Sequence, residues 1–278
     1  MFTSIVRRQM AAFITAAAAA AAVLGLAVPV GAATGARQTS PEMAGYTANH
    51  AQFKKVKANI YLVDPRPYAG MVARYGHSIQ LWSADRVVSL NFTANTTGET
   101  YTPSVTIYDR SNHQVIASDP NAKHRPYRGD WLPGVGSPWQ WTRFYNYWTT
   151  LSIRYSPATG HLEMTVQDGP NLRDEIMCSS DLPGQSFTKA RIGTEFGSSP
   201  WDTSYAYTPP ANPVKAAHYT DVHLTSYSGH RDDLSSWWMH HKLLALPGRS
   251  LVAFPDNLAN GGANFQTWFA PKSGQHSS

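Results

Sequence analysis

Short segments in which apolar and polar residues alternate recur along most of the chain. They cover residues 78–82, 87–92, 104–108, 151–155, 161–166, 190–196, 221–227 and 264–269. Alternation with a period of two predicts β-strands that turn one face toward a core. Eight or more short strands separated by turn residues indicate an all-β protein, an antiparallel two-sheet sandwich or a barrel.

Turn residues lie where such a fold needs them. Residues 151–155 and 161–166 are joined by Ser-Pro-Ala-Thr-Gly, which predicts a hairpin. The segment 234–246 is the best helix candidate, because Leu234, Trp237, Trp238 and His241 recur at helical spacing, although its aromatic crowding fits a strand or loop equally well. Residues 109–147 form a long excursion of the kind that is often functional.

The N-terminus has the three parts of a secretion signal. Arg7 and Arg8 precede an alanine-dominated apolar run, and small residues close it. We therefore predict a signal peptide over residues 1–36, a flexible leader over 37–55, a single sandwich domain over 56–272 and a disordered tail over 273–278. The mature protein is expected to be a secreted, extracellular and bacterial monomer that does not bind membranes.

The amino-acid composition argues against some classes of function. Cys178 is the single cysteine, so no intramolecular disulfide forms, and nothing around it resembles a catalytic cysteine. The formal net charge is +5. Apart from the signal peptide and the cluster Lys54-Lys55-Val56-Lys57, the basic residues are scattered, which argues against nucleic-acid binding. The aromatic content is high, with nine Trp, 14 Tyr and 10 Phe. Aromatic residues are common in β-strands, and their rings also stack on sugars in carbohydrate-binding proteins.

Alternation divides the strand residues into two sets. The inward set, which we expect to form the core, comprises Ile79, Leu81, Val105, Ile107, Leu151, Ile153, Leu162, Met164, Val166, Ile192, Val222 and Leu224. The outward set supplies the candidate ligand-binding residues Gln80, Trp82, Tyr108, Arg154, His223, Tyr227 and Trp268. On a concave sheet these side chains would form a groove for an extended sugar chain; on an ordinary sheet they would be a solvated face.

Residues 154–169, with the aromatic segment 141–148 before them, resemble the strand–turn–strand of laminin-G and legume-lectin domains. The resemblance implies a concanavalin A-like jelly roll. It implies no particular chemistry, because that fold serves lectins, glycosidases, polysaccharide lyases and peptidases.

Glu195 is the candidate catalytic carboxylate. It alternates with apolar neighbours and shares a face with Arg191, which is expected to hold it ionised by charge attraction or to form a purely structural pair with it. No second carboxylate at a spacing typical of sandwich glycosidases is evident. The Gln-x-His strand of the fold's lyases is absent, since Leu81 and Trp82 follow Gln80.

Glutamic peptidases share the fold and activate water with a Gln–Glu pair. The order Gln80 then Glu195 is loosely similar to theirs, although their Trp-Val-Gly signature and Glu-Trp strand are missing. The main hypothesis is therefore a secreted protein that binds or processes polysaccharide. The alternatives are a glutamic-type acid peptidase that cleaves casein and a protein-binding domain without enzymatic activity. No cofactor is expected, beyond a structural Ca²⁺ that oxygen-rich loops of this fold could hold.

Overall fold

The structure is a computed structural model. It describes residues 37–49, 51–72, 74–95, 100–117, 147–168, 175–197, 199–202, 205–232, 234, 240–245 and 250–271. All of these residues belong to one unit, Thr34–Ser278. The predicted signal peptide, the predicted tail from residue 273 and most of the 109–147 excursion lie outside them.

Almost all of the regular structure is β-strand. The strands are β1 (Arg37–Ser40), β2 (Met43–Asn49), β3 (Phe53–Leu62), β4 (Tyr75–Trp82), β5 (Arg86–Asn95), β6 (Thr100–Asp109), β7 (Val115–Ala117), β8 (Tyr147–Ser156), β9 (His161–Asp168), β10 (Glu175–Asp181), β11 (Lys189–Phe196), β12 (Val214–Ser226), β13 (Arg231–Asp232), β14 (His240–Ala245), β15 (Ala253–Pro255) and β16 (Phe265–Phe269). The helical turns within the described residues are short 3-10 turns, such as Arg66–Tyr68. The described part of the chain holds no helix long and apolar enough to span a membrane.

The strands form one continuous sheet that curls into a sandwich. Its order is β10-β9-β8-β3-β12-β16-β15-β14-β2-β11-β4-β5-β6-β7, with β1 beside β14 and β13 beside β12. Neighbouring strands run antiparallel, except that β1 and β14 are parallel. Strands β4, β5 and β11 of one half pack against β3, β8 and β12 of the other. The predicted all-β, antiparallel two-layer architecture is confirmed.

The predicted inward set forms the core between the two halves. All twelve of its members are buried, among them Ile79, Leu81, Leu151, Ile153 and Ile192. The alternation in the sequence therefore assigned these side chains to the correct face. Their burial removes apolar surface from water, which is the main favourable contribution to folding.

The prediction of a flexible leader over residues 37–55 is wrong where the structure describes that segment. These residues contain β1, β2 and the start of β3, and β2 lies between β14 and β11. The sequence signal is weak because β2 reads MAGYTAN, with few large apolar residues. Small residues are needed there, since a Cβ on Gly45 would lie 2.0 Å from the carbonyl oxygen of Ile192. The candidate helix at 234–246 is also wrong where the structure describes it, because residues 240–245 are strand β14.

A polar cluster lies inside the sandwich. His77 is fully buried, and its Nδ1 is 3.3 Å from Thr194 Oγ1 and 3.2 Å from the Tyr219 hydroxyl. Burial lowers the pKa of His77 from 6.5 to about 3. The folded protein therefore keeps this imidazole neutral at pH values where the unfolded chain protonates it, so stability falls as the pH drops below 6.5.

Replacing His77 with Gln should reduce the loss of stability in acid. Relative to wild type, the free energy of unfolding of the variant should increase by roughly 4 kcal/mol when the pH is lowered from 7.5 to 3.5. Urea unfolding at the two pH values measures this. His161→Gln, at an exposed histidine, is the control, and an equal change there would contradict the assignment to His77.

Candidate active site

The outer face of one half of the sandwich carries a polar row on adjacent strands. Residues Gln80 and Trp82 of β4 lie opposite Arg191 and Lys189 of β11, respectively. Glu195 continues the same face of β11, because side chains at alternate positions of a strand point the same way. The strand register thus brings together residues that are more than a hundred positions apart in sequence.

Gln80 and Glu195 are in direct contact. The Gln80 Nε2 donates to Glu195 Oε2 at 3.1 Å, and Asn91 Nδ2 donates to the same oxygen at 3.2 Å. Gln80 is 0% exposed and Glu195 is 4% exposed. The pair is therefore held in a position shielded from bulk water.

Trp82 determines which way the Gln80 amide faces. Its indole Nε1 donates to Gln80 Oε1 at 2.8 Å. An indole nitrogen can only donate, so the carbonyl end of the amide must point at Trp82. The NH₂ end is then the end that meets Glu195.

Burial makes Glu195 an unusually weak acid. It raises the pKa of Glu195 from 4.5 to about 7, against hydrogen bonds from Ser78 and Gln80 and the charge of Arg191, all of which lower it. The charge of Arg191 favours the ionised form of Glu195, as expected from the sequence, but desolvation of the carboxylate outweighs this attraction.

Arg191 has a different carboxylate partner. Its guanidinium Nη1 donates to Glu42 Oε1, and its Nη2 donates to the Ser40 hydroxyl at 2.5 Å. The side chains of Arg191 and Glu42 are only 7% and 5% exposed. A buried charge is tolerated when it is paired in this way.

A cavity of about 620 Å³ lies next to Trp82 and Arg191, the two residues that flank Gln80. Trp82 and Arg191, which adjoin Gln80, form part of its wall, together with Lys189, Glu42 and Trp201. The rings of Trp82 and Trp201 meet edge to face, with centroids 5.8 Å apart.

The predicted site residues separate into two groups. Tyr108 packs on Trp201, with ring centroids 5.3 Å apart, and so joins the site. The other four predicted ligand-binding residues lie elsewhere. Arg154 of β8 lies opposite Glu163 of β9, and His223 contacts Asp221. The Tyr227 hydroxyl donates to the backbone oxygen of Gln185, and the ring of Trp268 lies under the Lys215 ammonium.

Sequence reasoning missed four contributors. Asn91 and Lys189 lie on strands, and their alternation with apolar neighbours could have placed them on the polar face. Glu42 and Trp201 lie in connecting segments. Nothing in the local pattern of those segments indicates that they meet β11 or β4.

Within the described residues, no group of three His, Cys, Asp or Glu side chains is placed to hold a metal ion.

Comparison with known proteins identifies the fold. No protein-family model matches the chain, and no curated protein sequence matches it. A crystal structure of Scytalido-glutamic peptidase with a peptide-based transition-state analogue matches with a TM-score of 0.54 and 13% identity, covering 83% of this chain and 98% of that one. At 13% identity this likeness shows the fold alone. The chain is a jelly-roll β-sandwich.

A galectin is also similar in part. The Caenorhabditis elegans galectin LEC-6 matches with a TM-score of 0.25 and 12% identity, over 59% of this chain and 94% of that one. A TM-score this low supports no argument about function.

The raised pKa of Glu195 predicts a pH-dependent stability effect. The folded state keeps the Glu195 proton up to about pH 7 whereas the unfolded chain releases it near 4.5, so wild-type stability falls as the pH rises through this interval. The free energy of unfolding of Glu195→Gln, relative to that of wild type, should therefore increase by roughly 3 kcal/mol from pH 4 to pH 8. Urea unfolding at each of these pH values measures the change.

The control for this prediction is Glu163→Gln, which removes a partly exposed carboxyl from the other half of the sandwich. A comparable gain in that variant, or a constant difference for Glu195→Gln at both pH values, would contradict the buried-acid description of Glu195.

Proposed function

We propose that the protein is a glutamic-type peptidase in which Gln80 and Glu195 activate a water molecule. The observation that carries the proposal is the 3.1 Å contact between the two side chains on the polar outer face. The fold shared with a glutamic peptidase is compatible with it. No residue role is taken from that comparison.

The chemistry follows from the properties of the two groups. Ionised Glu195 accepts a proton from water as the water oxygen attacks the peptide carbonyl carbon. The Gln80 NH₂ group, which carries two hydrogens, donates to the oxyanion that forms. Protonated Glu195 then gives its proton to the departing amine nitrogen as the C–N bond breaks.

Two features define the conditions for this reaction. Because Gln80 and Glu195 are buried, side chains above them must move before a peptide can reach them. Because the pKa of Glu195 is about 7, its base form is scarce in acid. The proposal therefore places activity near neutral pH, whereas the sequence suggested an acid peptidase.

The mature protein should cleave casein, with a rate that rises with pH up to about 7. Glu195→Gln removes the base and Gln80→Ala removes the oxyanion donor, so each should lower kcat/KM by about a hundredfold or more. Release of new amine groups measures cleavage, and Glu163→Gln is the control that should retain it. Failure of wild type to cleave any peptide between pH 3 and pH 9 would refute the proposal.

A second candidate function rests on the other half of the sandwich. Trp148 is 38% exposed, and its ring lies 5.3 Å from Tyr61 and 5.3 Å from His218. Trp148 pairs with Tyr61 across β8 and β3, and Tyr61 pairs with His218 across β3 and β12. We propose this aromatic row as a stacking platform for polysaccharide, separate from the Gln80–Glu195 pair.

A glycan panel tests this second candidate. Trp148→Ala should weaken retention of any bound polysaccharide by about tenfold or more, since large exposed aromatics contribute disproportionately to binding. Glu195→Gln should bind as wild type does, because it lies on the other half. Absence of glycan retention by wild type, or equal loss in both variants, would refute the platform.

A further inference from the structure

The cavity beside the Gln80–Glu195 pair has more positive than negative groups. Two cations, Lys189 and Arg191, line the cavity together with one carboxylate, Glu42. Glu42 already forms an ion pair with Arg191. The Arg110 guanidinium carbon lies 5.4 Å from the centroid of the Trp82 ring and adds a third cation nearby.

Lys189 is the second cation in the wall of this cavity. Within the described part of the chain its ammonium has no carboxylate or hydrogen-bond partner, and it lies over the Trp82 ring at 5.0 Å. Its partial burial and the charges of Arg191 and Arg110 lower the pKa of Lys189, and the opposing charge of Glu42 offsets only part of this effect. An anion in the cavity would relieve this repulsion.

The rest of the cavity wall is largely aromatic. Its walls include the rings of Trp82, Trp201 and His113, and the last two stack with centroids 4.3 Å apart. A carboxylate with a short apolar stem fits an aromatic wall that ends in an ammonium, because the stem packs on the rings and the charge meets the cation.

The cavity is also adjacent to the reacting groups. Trp82 lines it and donates to Gln80, and Arg191 lines it directly opposite Gln80 on the neighbouring strand. A peptide whose scissile bond lies at Gln80 and Glu195 would extend a nearby side chain into this space.

We propose that this cavity is a specificity subsite that takes an acidic side chain, Asp or Glu, from a substrate peptide and that Lys189 binds its carboxylate. The subsite rests on the proposed peptidase function for its role in cleavage. Its affinity for acidic peptides does not depend on that function, which makes the two separable by experiment.

The test uses matched fluorogenic peptides that differ only by Asp or Asn, or Glu or Gln, at positions flanking the cleaved bond. At one position the acidic peptide should be cleaved about tenfold faster in kcat/KM than its amide counterpart at pH 7. Lys189→Met should bring this ratio close to one, and Lys189→Glu should reverse it in favour of a Lys-containing peptide. Lys215→Met is the matched control, because Lys215 also lies over a tryptophan, at 5.4 Å, but on β12.

Binding to the Glu195→Gln variant separates the two proposals. Dye-labelled acidic peptides should bind it more tightly than their amide counterparts, and adding Lys189→Met should remove the difference. Cleavage without an acidic preference overturns the subsite and leaves the peptidase proposal standing. Selective binding without cleavage by wild type supports the subsite and overturns the peptidase proposal, whereas neither selective binding nor cleavage overturns both.

Discussion

The pairing of β4 with β11 is the constraint on which the candidate site depends. Antiparallel register places Gln80 opposite Arg191 and Trp82 opposite Lys189, and keeps Glu195 on the same face. Side chains alternate with a period of two, so a slip of one residue would exchange this polar row for the apolar row that forms the core. The same register that buries the core therefore assembles the site.

Burial then gives the polar row its unusual electrostatics. A carboxylate removed from water becomes a weaker acid, and for Glu195 this effect exceeds the nearby positive charge of Arg191. Arg191 tolerates its own burial because Glu42 neutralises it and Ser40 accepts a further hydrogen bond. Within the described residues Lys189 has no such ion-pair partner. The excess of positive charge therefore lies at the cavity.

Hydrogen bonds from neighbouring side chains fix the orientation of Gln80 and the position of Glu195. Trp82 can only donate, so its contact fixes the direction of the Gln80 amide and presents the NH₂ end to Glu195. Asn91 donates to the same carboxylate oxygen from the neighbouring strand β5. Three strands thus hold one carboxyl group, which is more precise positioning than a loop provides.

The sequence by itself determined the fold class and the inner face of the strands, because period-two alternation is a local property of each strand. It also singled out Gln80, Trp82, Arg191 and Glu195, which are polar or aromatic residues within that alternation. It misplaced the structured residues 37–49, since β2 is held by its neighbours on both sides rather than by large apolar side chains of its own.

Only the tertiary structure decided which outward residues meet. Arg154, His223, Tyr227 and Trp268 alternate as Gln80 does, yet they lie apart from it. Strand order depends on contacts between residues far apart in the chain, and local alternation contains no information about it. The partner of Arg191 and the pKa of Glu195 follow from that order, because both are set by what lies across the sheet and by how much water remains there.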